Sequence, residues 1–294
     1  MSGTTALFRD LAGRLDSGSP RRQASQHRAL PSRQAVVELL ATAEKLLCPR
    51  HLGCRAGGQI GALEASLSRL YQRTSEQVQL ELSFMGKDEF AAKKRAQEIV
   101  QAWMAELPAL QAVLELDVEA AYKGDPALYS TDEALLCYPG ITAIIYFRLA
   151  HELRVLGAPL LARMMTEHAH SVSGIDIHPG AQIGEAFFID HGTGVVIGET
   201  AVIGKRVRLY QGVTLGAKNF PSDCDGTLRK GLPRHPILED DVVVYSWANV
   251  LGRITIGRGS IIGGNAWVTH DVAPGSIITQ ARLQQAMFAD GAGI

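Results

Sequence analysis

The sequence predicts an α+β chain in which an all-helical N-terminal domain is followed by a solenoid of short parallel strands. Two observations lead to this prediction. From 177 to 268 an aliphatic residue recurs every sixth position, whereas the residues before 174 show the apolar spacing of amphipathic helices. A period of six fits neither a helix nor an alternating strand. It is typical of a solenoid whose coils bury their apolar residues only against neighbouring coils.

The chain divides into four predicted parts. Residues 1–33 mix Gly, Ser, Arg and Pro without periodicity and are expected to form a mobile arm, and residues 34–173 are expected to form the helical domain. The repeat at 174–279 forms the solenoid, and 280–294 is a tail with a Gly-rich end. Apolar faces and Pro or Gly breaks predict helices at about 34–47, 60–71, 75–84, 87–107, 108–122, 141–156 and 158–170.

The repeat itself consists of hexads rich in Val, Ile and Gly. β-Branched residues suit short strands, and Gly suits the tight corners between them. The aliphatic positions are Ile177, Ile183, Ile189, Ile197, Ile203, Leu209, Leu215, Leu238, Val244, Val250, Ile256, Ile262 and Val268.

The phase of the repeat breaks in two places. Ile197 follows Ile189 by eight residues instead of six, so the corner at 190–194 should bulge out of the regular coil. The second break is the polar segment between Leu215 and Leu238, which is expected to leave the coil as a loop. Because a bulge or loop can place side chains in a cleft, we expect the chemistry at these two interruptions.

Composition excludes several classes of partner. The 294 residues carry 29 Lys plus Arg and 30 Asp plus Glu, and the net charge of -1 gives no indication of nucleic acid or of a charged membrane surface. No apolar run approaches the ~20 residues of a membrane span, and the N-terminus lacks the apolar core of a secretory signal. We therefore expect a cytoplasmic protein.

The four cysteines, Cys48, Cys54, Cys137 and Cys224, do not have the spacing of a zinc site. Free thiols in a reducing compartment are the favoured interpretation, and a disulfide between the first two is the alternative.

The hexads resemble the left-handed parallel β-helix of the hexapeptide-repeat acyltransferases. Segments 176–184, 190–203 and 209–216, with Arg234-His235-Pro236 and the upstream Asp125-Pro126-Ala127, resemble the signature of the serine O-acetyltransferases more closely. The resemblance covers about 115–275. It implies acetyl transfer from acetyl-CoA to the hydroxyl of L-serine, in cysteine biosynthesis. It also implies acetyl-CoA as a co-substrate, no permanently bound cofactor and no metal.

The resemblance assigns catalysis to the first interruption. His191 is the expected general base, since a histidine titrates close to neutral pH and can take the hydroxyl proton as the oxygen attacks the thioester. Asp176, in an earlier coil, is expected to hold the imidazole in the required tautomer. A surface histidine on a loop is the alternative interpretation.

Serine recognition is assigned to four residues by the same resemblance. Arg234 and His235 match the pair that holds the substrate carboxylate, for which the planar guanidinium is well suited. Asp125 and Asp190 match the residues for the amino group. The alternative for Asp125 is a helix N-cap, because Asp before Pro is a common helix start.

Acetyl-CoA is expected along a groove between coils of different subunits. The candidate residues are Gly216, Ala217, Ser246 and Trp247, with Arg253 or Arg258 available for phosphates. For the tryptophan, core or interface packing is as strong an interpretation as stacking on the adenine.

The resemblance also implies partners. A homotrimer with sites between subunits is expected, and pairing of trimers through the helical domains is left open. L-Cysteine is the expected feedback inhibitor at the serine site. The tail ending in Ile294 is expected to insert into O-acetylserine sulfhydrylase, with an unstructured chain end as the alternative.

Three other functions are alternatives to serine acetylation. An acetyltransferase for a sugar or another hydroxy-amino acid is less favoured, because the predicted acidic and basic residues together suit a zwitterion. A zinc-dependent carbonic anhydrase on the same fold requires three converging histidines, and His178, His191, His235 and His270 lack that spacing. A non-catalytic scaffold would not need the bulged corner.

Overall fold

The computed structural model describes residues 3–16, 29–48 and 60–280 of the chain. Cys54, the tail residues after 280 and Ile294 lie outside these ranges. Cys48, Cys137 and Cys224 are free thiols.

The first part of the described chain is helical. Its helices α1 to α8 span Gly3–Asp16, Arg33–Leu47, Ile60–Phe84, Glu89–Ala105, Leu107–Gly124, Thr131–Cys137, Pro139–Leu156 and Pro159–Ser173. Side chains close the first turns of several helices: Ser32 accepts the N–H of Ala35, and Asp88 accepts the N–H of Ala91. Gly174 ends α8 in the left-handed conformation, at φ 71°.

The helix predictions differ from the structure in three places. No helix was expected within 1–33, but Gly3–Asp16 forms α1; that 1–33 is a mobile arm stays a prediction. Two helices were expected between 60 and 84, but α3 is continuous, and its buried face runs across the predicted break from Leu70 through Thr74 to Val78. Helix α6 was not predicted at all.

Helix α7 forms the centre of the helical part. Ten of its residues are apolar or glycine and buried, and its neighbours α4, α5 and α8 pack around it. The indole of Trp103 on α4 is fully buried and donates to the carbonyl of Leu149 at 3.0 Å. This bond satisfies the one polar atom of a large core side chain.

The second part is a coil of very short parallel strands. Strands β1 to β14 span Asp176–Ile177, Gln182–Ile183, Phe188–Ile189, Val196–Ile197, Val202–Ile203, Arg208–Leu209, Thr214–Gly216, Ile237–Leu238, Val243–Val244, Asn249–Leu251, Thr255–Ile256, Ile261–Ile262, Trp267–Val268 and Ile277–Ile278. They form three parallel sheets, in the orders β1-β4-β7-β10-β13, β11-β8-β5-β2 and β14-β12-β9-β6-β3. We call these the first, second and third sheets.

The hexad prediction is confirmed by burial and register. Every predicted aliphatic position is buried except Ile183, which is partly buried. Ile177 pairs with Ile197, which pairs with Leu215 and, through it, with Val250. The aliphatic side chains therefore stack in rows along the axis of the coil, each covering the one below.

The helical part is joined to the first coil by a buried ion pair. Arg148 on α7 donates to both oxygens of Asp117 on α5, at 2.6 and 2.9 Å. It also donates to the carbonyls of Ile183 and Gly184, while Asp117 accepts the N–H of Phe187 at 2.8 Å. These bonds fix the chain three residues before Asp190.

Within the described ranges, no single helix is long and apolar enough to cross a membrane. One pair of consecutive helices, Thr131–Cys137 with Pro139–Leu156, is together long and apolar enough, but the two helices are bent by 78° where they meet.

Candidate active site

The first interruption of the repeat forms a bulged corner between the third and first sheets. His191, Gly192 and Gly194 all have positive φ, at 57°, 81° and 79°. The backbone doubles back there, with the N–H of Gly192 bonding the carbonyl of Asp190. The side chain of His191 is 70% exposed, so the bulge carries the imidazole off the wall of the coil.

Acidic residues surround this imidazole. An oxygen of Asp190 lies 3.8 Å from Nε2 of His191, and Asp125, on the segment after α5, interacts electrostatically with both. Asp125 accepts a hydrogen bond from the hydroxyl of Tyr138 at 2.6 Å and another from the N–H of Ala127 at 2.8 Å.

The surroundings shift the pKa values of Asp125 and Asp190 in opposite directions. The hydrogen bond from Tyr138 lowers the pKa of Asp125 below its ordinary value. Burial raises the pKa of Asp190, which is only 9% exposed. Arg208 lies close to both groups; it bonds the carbonyl of Gly124 and its guanidinium is 5.5 Å from the ring centre of Phe188. The corner thus holds negative charge next to an exposed imidazole.

The N-cap alternative for Asp125 is wrong. Asp125 lies at the C-terminal end of α5, and the next helix, α6, is capped by Ser130, whose hydroxyl accepts the N–H of Glu133. Tertiary contacts to Tyr138, rather than a helix end, hold this carboxylate.

Asp176 lies on β1, directly beside the strand that follows the bulge. Among the described residues, no hydrogen bond joins it to His191. Its closest cation is Arg163 of α8, whose Nη1 is 3.7 Å from the carboxylate. Its role as the partner of the base stays a prediction.

The second interruption ends at a different corner, between the first and second sheets. Residues 217–236 separate β7 from β8, and Phe220 and Leu228 within them are exposed. At the end of this segment, the hydroxyl of Thr200 accepts the backbone N–H groups of Arg234 and His235, at 2.9 and 3.1 Å.

His235 is held as a neutral imidazole at this corner. Its Nδ1 accepts the N–H of Thr200 at 3.0 Å, and burial lowers its pKa to about 4. A Cβ on Gly198 would overlap the ring, so only glycine lets the imidazole lie against the coil there. With Nδ1 accepting, Nε2 carries the proton and can donate to a substrate oxygen.

The guanidinium of Arg234 is held by Glu199. Nη2 of Arg234 donates to one oxygen of Glu199 at 2.8 Å, and Nη2 of Arg154, on α7, donates to the other at 2.9 Å.

The four predicted serine-binding residues do not form one site within a single chain. Asp125 and Asp190 lie at the bulged corner before β4, whereas Arg234 and His235 lie at the corner that follows β4. Gly194 at the first corner and Glu199 at the second are five residues apart, about 16 Å in extended chain. A free serine cannot bridge that gap.

The predicted acetyl-CoA residues are divided in the same way. Ser246 and Trp247 lie at the corner between the third and first sheets, while Gly216 and Ala217 lie at the far end of β7. The indole of Trp247 packs on Gly212 of the preceding coil, although the residue is 55% exposed.

Nη1 of Arg253 donates to the carbonyls of Thr200 and His235, at 2.7 and 3.0 Å. These bonds brace the second corner. Contact of Arg253 or Arg258 with phosphates stays a prediction.

In the part of the chain that the structure describes, no group of three or more His, Cys, Asp or Glu side chains could hold a metal ion.

Comparisons with known proteins show which family this arrangement belongs to. No family model matches the chain. The plasmid-encoded serine acetyltransferase of Synechococcus elongatus is 51% identical over 275 residues, which cover 90% of this chain and 86% of that protein. The chain belongs to the serine acetyltransferase family. The resemblance drawn from the sequence is thereby confirmed, and so is its class as an acyltransferase.

Solved structures of the family agree. The Entamoeba histolytica serine acetyltransferase 1 in complex with L-cysteine matches with a TM-score of 0.73 and 35% identity, covering 86% of this chain and 88% of that one. The soybean serine acetyltransferase complexed with serine matches with a TM-score of 0.55 and 27% identity, covering 85% and 98%.

Four residues that contact the predicted site residues at the two corners were not predicted from the sequence: Tyr138, Glu199, Thr200 and Arg208. The positions of Glu199 and Thr200 could have been found, because they begin the corner that stacks on the segment carrying Arg234 and His235. No sequence signal indicated that Tyr138 reaches Asp125.

Proposed function

We propose that this chain transfers the acetyl group of acetyl-CoA to the hydroxyl of L-serine, giving O-acetyl-L-serine and CoA. The observation that supports this most directly is the exposed His191 on a bulge beside two carboxylates. A base alone would serve any hydroxyl acceptor. The carboxylates of Asp125 and Asp190 suit an acceptor that also carries an ammonium group.

In the proposed mechanism, His191 accepts the proton of the serine hydroxyl as its oxygen attacks the acetyl carbonyl. The new C–O bond forms, and the C–S bond then breaks as the tetrahedral adduct collapses. The imidazolium returns the proton to the leaving thiolate. Asp176 is proposed to turn toward His191 and fix its tautomer once the site is filled, since hydrogen bonds at catalytic residues often tighten only in the complex.

Recognition of the zwitterion is proposed to use both corners. Ionised Asp125 and Asp190 bind the ammonium group. The carboxylate is bound by the guanidinium of Arg234 and by Nε2–H of His235, which stays neutral because burial lowers its pKa to about 4.

Because the two corners lie at opposite ends of strand β4, we propose that one chain supplies the base and a second copy supplies Arg234 and His235, which bind the substrate carboxylate. A homotrimer of left-handed coils would place three such sites between subunits, and pairing of trimers would then use the helical parts. Acetyl-CoA would lie in the same grooves, contacting Gly216 and Ala217 of one subunit and Ser246 and Trp247 of the next.

Subunit mixing tests the shared site. His191→Ala and Arg234→Ala are each expected to be inactive alone, but unfolding and refolding them together should restore part of the activity, because mixed trimers contain some intact sites. Mixtures that stay inactive, while refolded wild type recovers, would contradict a site shared between copies.

A panel of acceptors tests the substrate. Thiol release from acetyl-CoA is measured with L-serine, L-homoserine, L-threonine and N-acetylglucosamine. The proposal predicts the highest kcat/KM with L-serine. A preference for the sugar or for another hydroxy-amino acid would support the alternative acetyltransferase instead.

L-Cysteine is proposed to inhibit at the serine site. It has the same ammonium and carboxylate groups, and its thiol takes the place of the hydroxyl. It should raise the apparent KM for L-serine without lowering kcat, and inhibition that excess serine does not relieve would argue against a shared site.

The proposed partner for the tail is O-acetylserine sulfhydrylase. Deleting Ile294 should abolish its binding, and an unchanged affinity would contradict the proposal.

A further inference from the structure

The carboxylate of Glu199 joins two arginines from different parts of the fold. One oxygen accepts from Arg154 on α7 at 2.9 Å, and the other accepts from Arg234, which follows the long segment after β7, at 2.8 Å. The side chain of Glu199 is 24% exposed, and those of Arg154 and Arg234 are 31% and 25% exposed. All three side chains are therefore partly buried, and both guanidinium groups contact Glu199.

This arrangement differs from that of a glutamate at the equivalent corner of the repeat. Glu185 also directly follows a hexad glycine, but among the described residues its one ion pair is with Lys205, at 3.0 Å, and the two side chains are 41% and 53% exposed. Such an exposed pair contributes little. Position in the repeat therefore does not by itself explain why Glu199 holds two guanidinium groups.

Arg234 follows a long exposed segment and needs contacts of its own to be held in place. Residues 217–233 are mostly exposed, so the chain first packs on the coil again at Arg234. Thr200 binds the backbone of Arg234, and Glu199, its chain neighbour, binds the guanidinium. Backbone and side chain are thus anchored to adjacent residues of the coil.

We propose that Glu199 is a positioning residue that aims Arg234 at the substrate carboxylate, and that Arg154 holds Glu199 in place from the helical part. The inference rests on the proposed function. Nη2 of Arg234 donates to Glu199 and Nη1 donates to the carbonyl of Leu232 at 3.3 Å, so the orientation of the guanidinium is fixed rather than free to rotate. Since each arginine rotamer excluded is entropy already lost before binding, the serine site is pre-organised.

Electrostatics agree with this geometry. Burial opposes ionisation of Glu199, but the hydrogen bond from Arg234 and the charges of Arg234 and Arg154 lower its pKa below the ordinary value. Glu199 is therefore a carboxylate at neutral pH, as a bridge between two guanidinium groups requires.

The test compares Glu199→Gln with the matched control Glu185→Gln. Glu199→Gln should raise the KM for L-serine roughly 10-fold or more, the usual effect of losing a residue that orients a ligand-binding group. The KM for acetyl-CoA and the melting temperature should stay near wild type. Glu185→Gln should match wild type in every respect.

A second acceptor separates positioning from general damage. L-Serinamide keeps the hydroxyl and the ammonium group but lacks the carboxylate, so Glu199→Gln should leave its kcat/KM unchanged while that of L-serine falls. An equal fall with both acceptors, or an unchanged KM for L-serine, would overturn the proposal. If wild type does not acetylate L-serine at all, the proposed function fails; if it does and Glu199→Gln behaves like wild type, only this inference fails.

Discussion

Replacing Arg148 by methionine should test how the helical part holds the first coil. The guanidinium donates to both oxygens of Asp117 and to the carbonyls of Ile183 and Gly184. Its side chain is 8% exposed, and that of Asp117 is fully buried. Methionine fills a similar volume but leaves the carboxylate charge without its partner.

The loss of stability expected for Arg148→Met follows from the burial of this ion pair. Removing one partner of a buried ion pair costs about 3–5 kcal/mol, because the remaining charge stays desolvated. In a chain of this size 1 kcal/mol corresponds to about 2 °C, so thermal unfolding followed by circular dichroism should show a fall of ~6–10 °C.

Two further variants make the comparison specific. Arg206 binds Asp241 with the same two distances, 2.6 and 2.9 Å, but the side chains are 52% and 44% exposed. Arg206→Met should therefore leave the melting temperature nearly unchanged. Adding Asp117→Asn to Arg148→Met should recover much of the loss, because the stranded charge is removed and the amide oxygen can still accept from Phe187.

Similar melting temperatures for Arg148→Met and Arg206→Met would refute the reasoning, since the Arg148 pair is buried and also bonds two backbone carbonyls, whereas the Arg206 pair is exposed. A double variant less stable than Arg148→Met would also contradict it.

Two predictions concern the two corners of the site. Tyr138→Phe removes the bond that lowers the pKa of Asp125, so this pKa, followed by NMR titration of the carboxyl carbon, should rise toward its ordinary value; Tyr146→Phe, which removes a hydroxyl–carboxylate bond in the helical part, is the control and should leave the pKa of Asp125 unchanged. An unchanged pKa of Asp125 in Tyr138→Phe would show that Asp125 is not held in this way. Gly198→Ala places a methyl group on the imidazole of His235, so the KM for L-serine should rise roughly 10-fold, and an unchanged KM would remove His235 from the site.

The coil was predictable because a six-residue period has a direct geometric meaning. An apolar side chain at every sixth position can be buried in a triangular coil, and the eight-residue step from Ile189 to Ile197 has to appear as a bulge. Both features were read from spacing alone and are present in the structure.

The helical part was harder, because its boundaries depend on local caps and on tertiary burial. Helix α6 has only two turns, and its signal was the Ser130–Glu133 pair, a capping box that was not used. The buried face of α3 includes the polar residue Thr74 at the predicted break, so apolar spacing alone does not reveal that the helix continues.

The site was predicted as a set of residues but not as an arrangement. Spacing located the bulge that carries His191, and the family resemblance assigned Arg234 to the substrate carboxylate. Counting hexads would also have shown that the two residues lie at different corners, but the prediction did not use it. The contact of Tyr138 with Asp125 joins the helical part to the coil, and no periodic pattern encodes such a contact.

The most direct test of the account is the rate of acetyl transfer to L-serine by His191→Ala. Loss of a general base should lower kcat about 10²–10⁴-fold, with the KM for acetyl-CoA and the melting temperature unchanged. A variant that keeps most of the wild-type rate would contradict the claim that this imidazole deprotonates the serine hydroxyl.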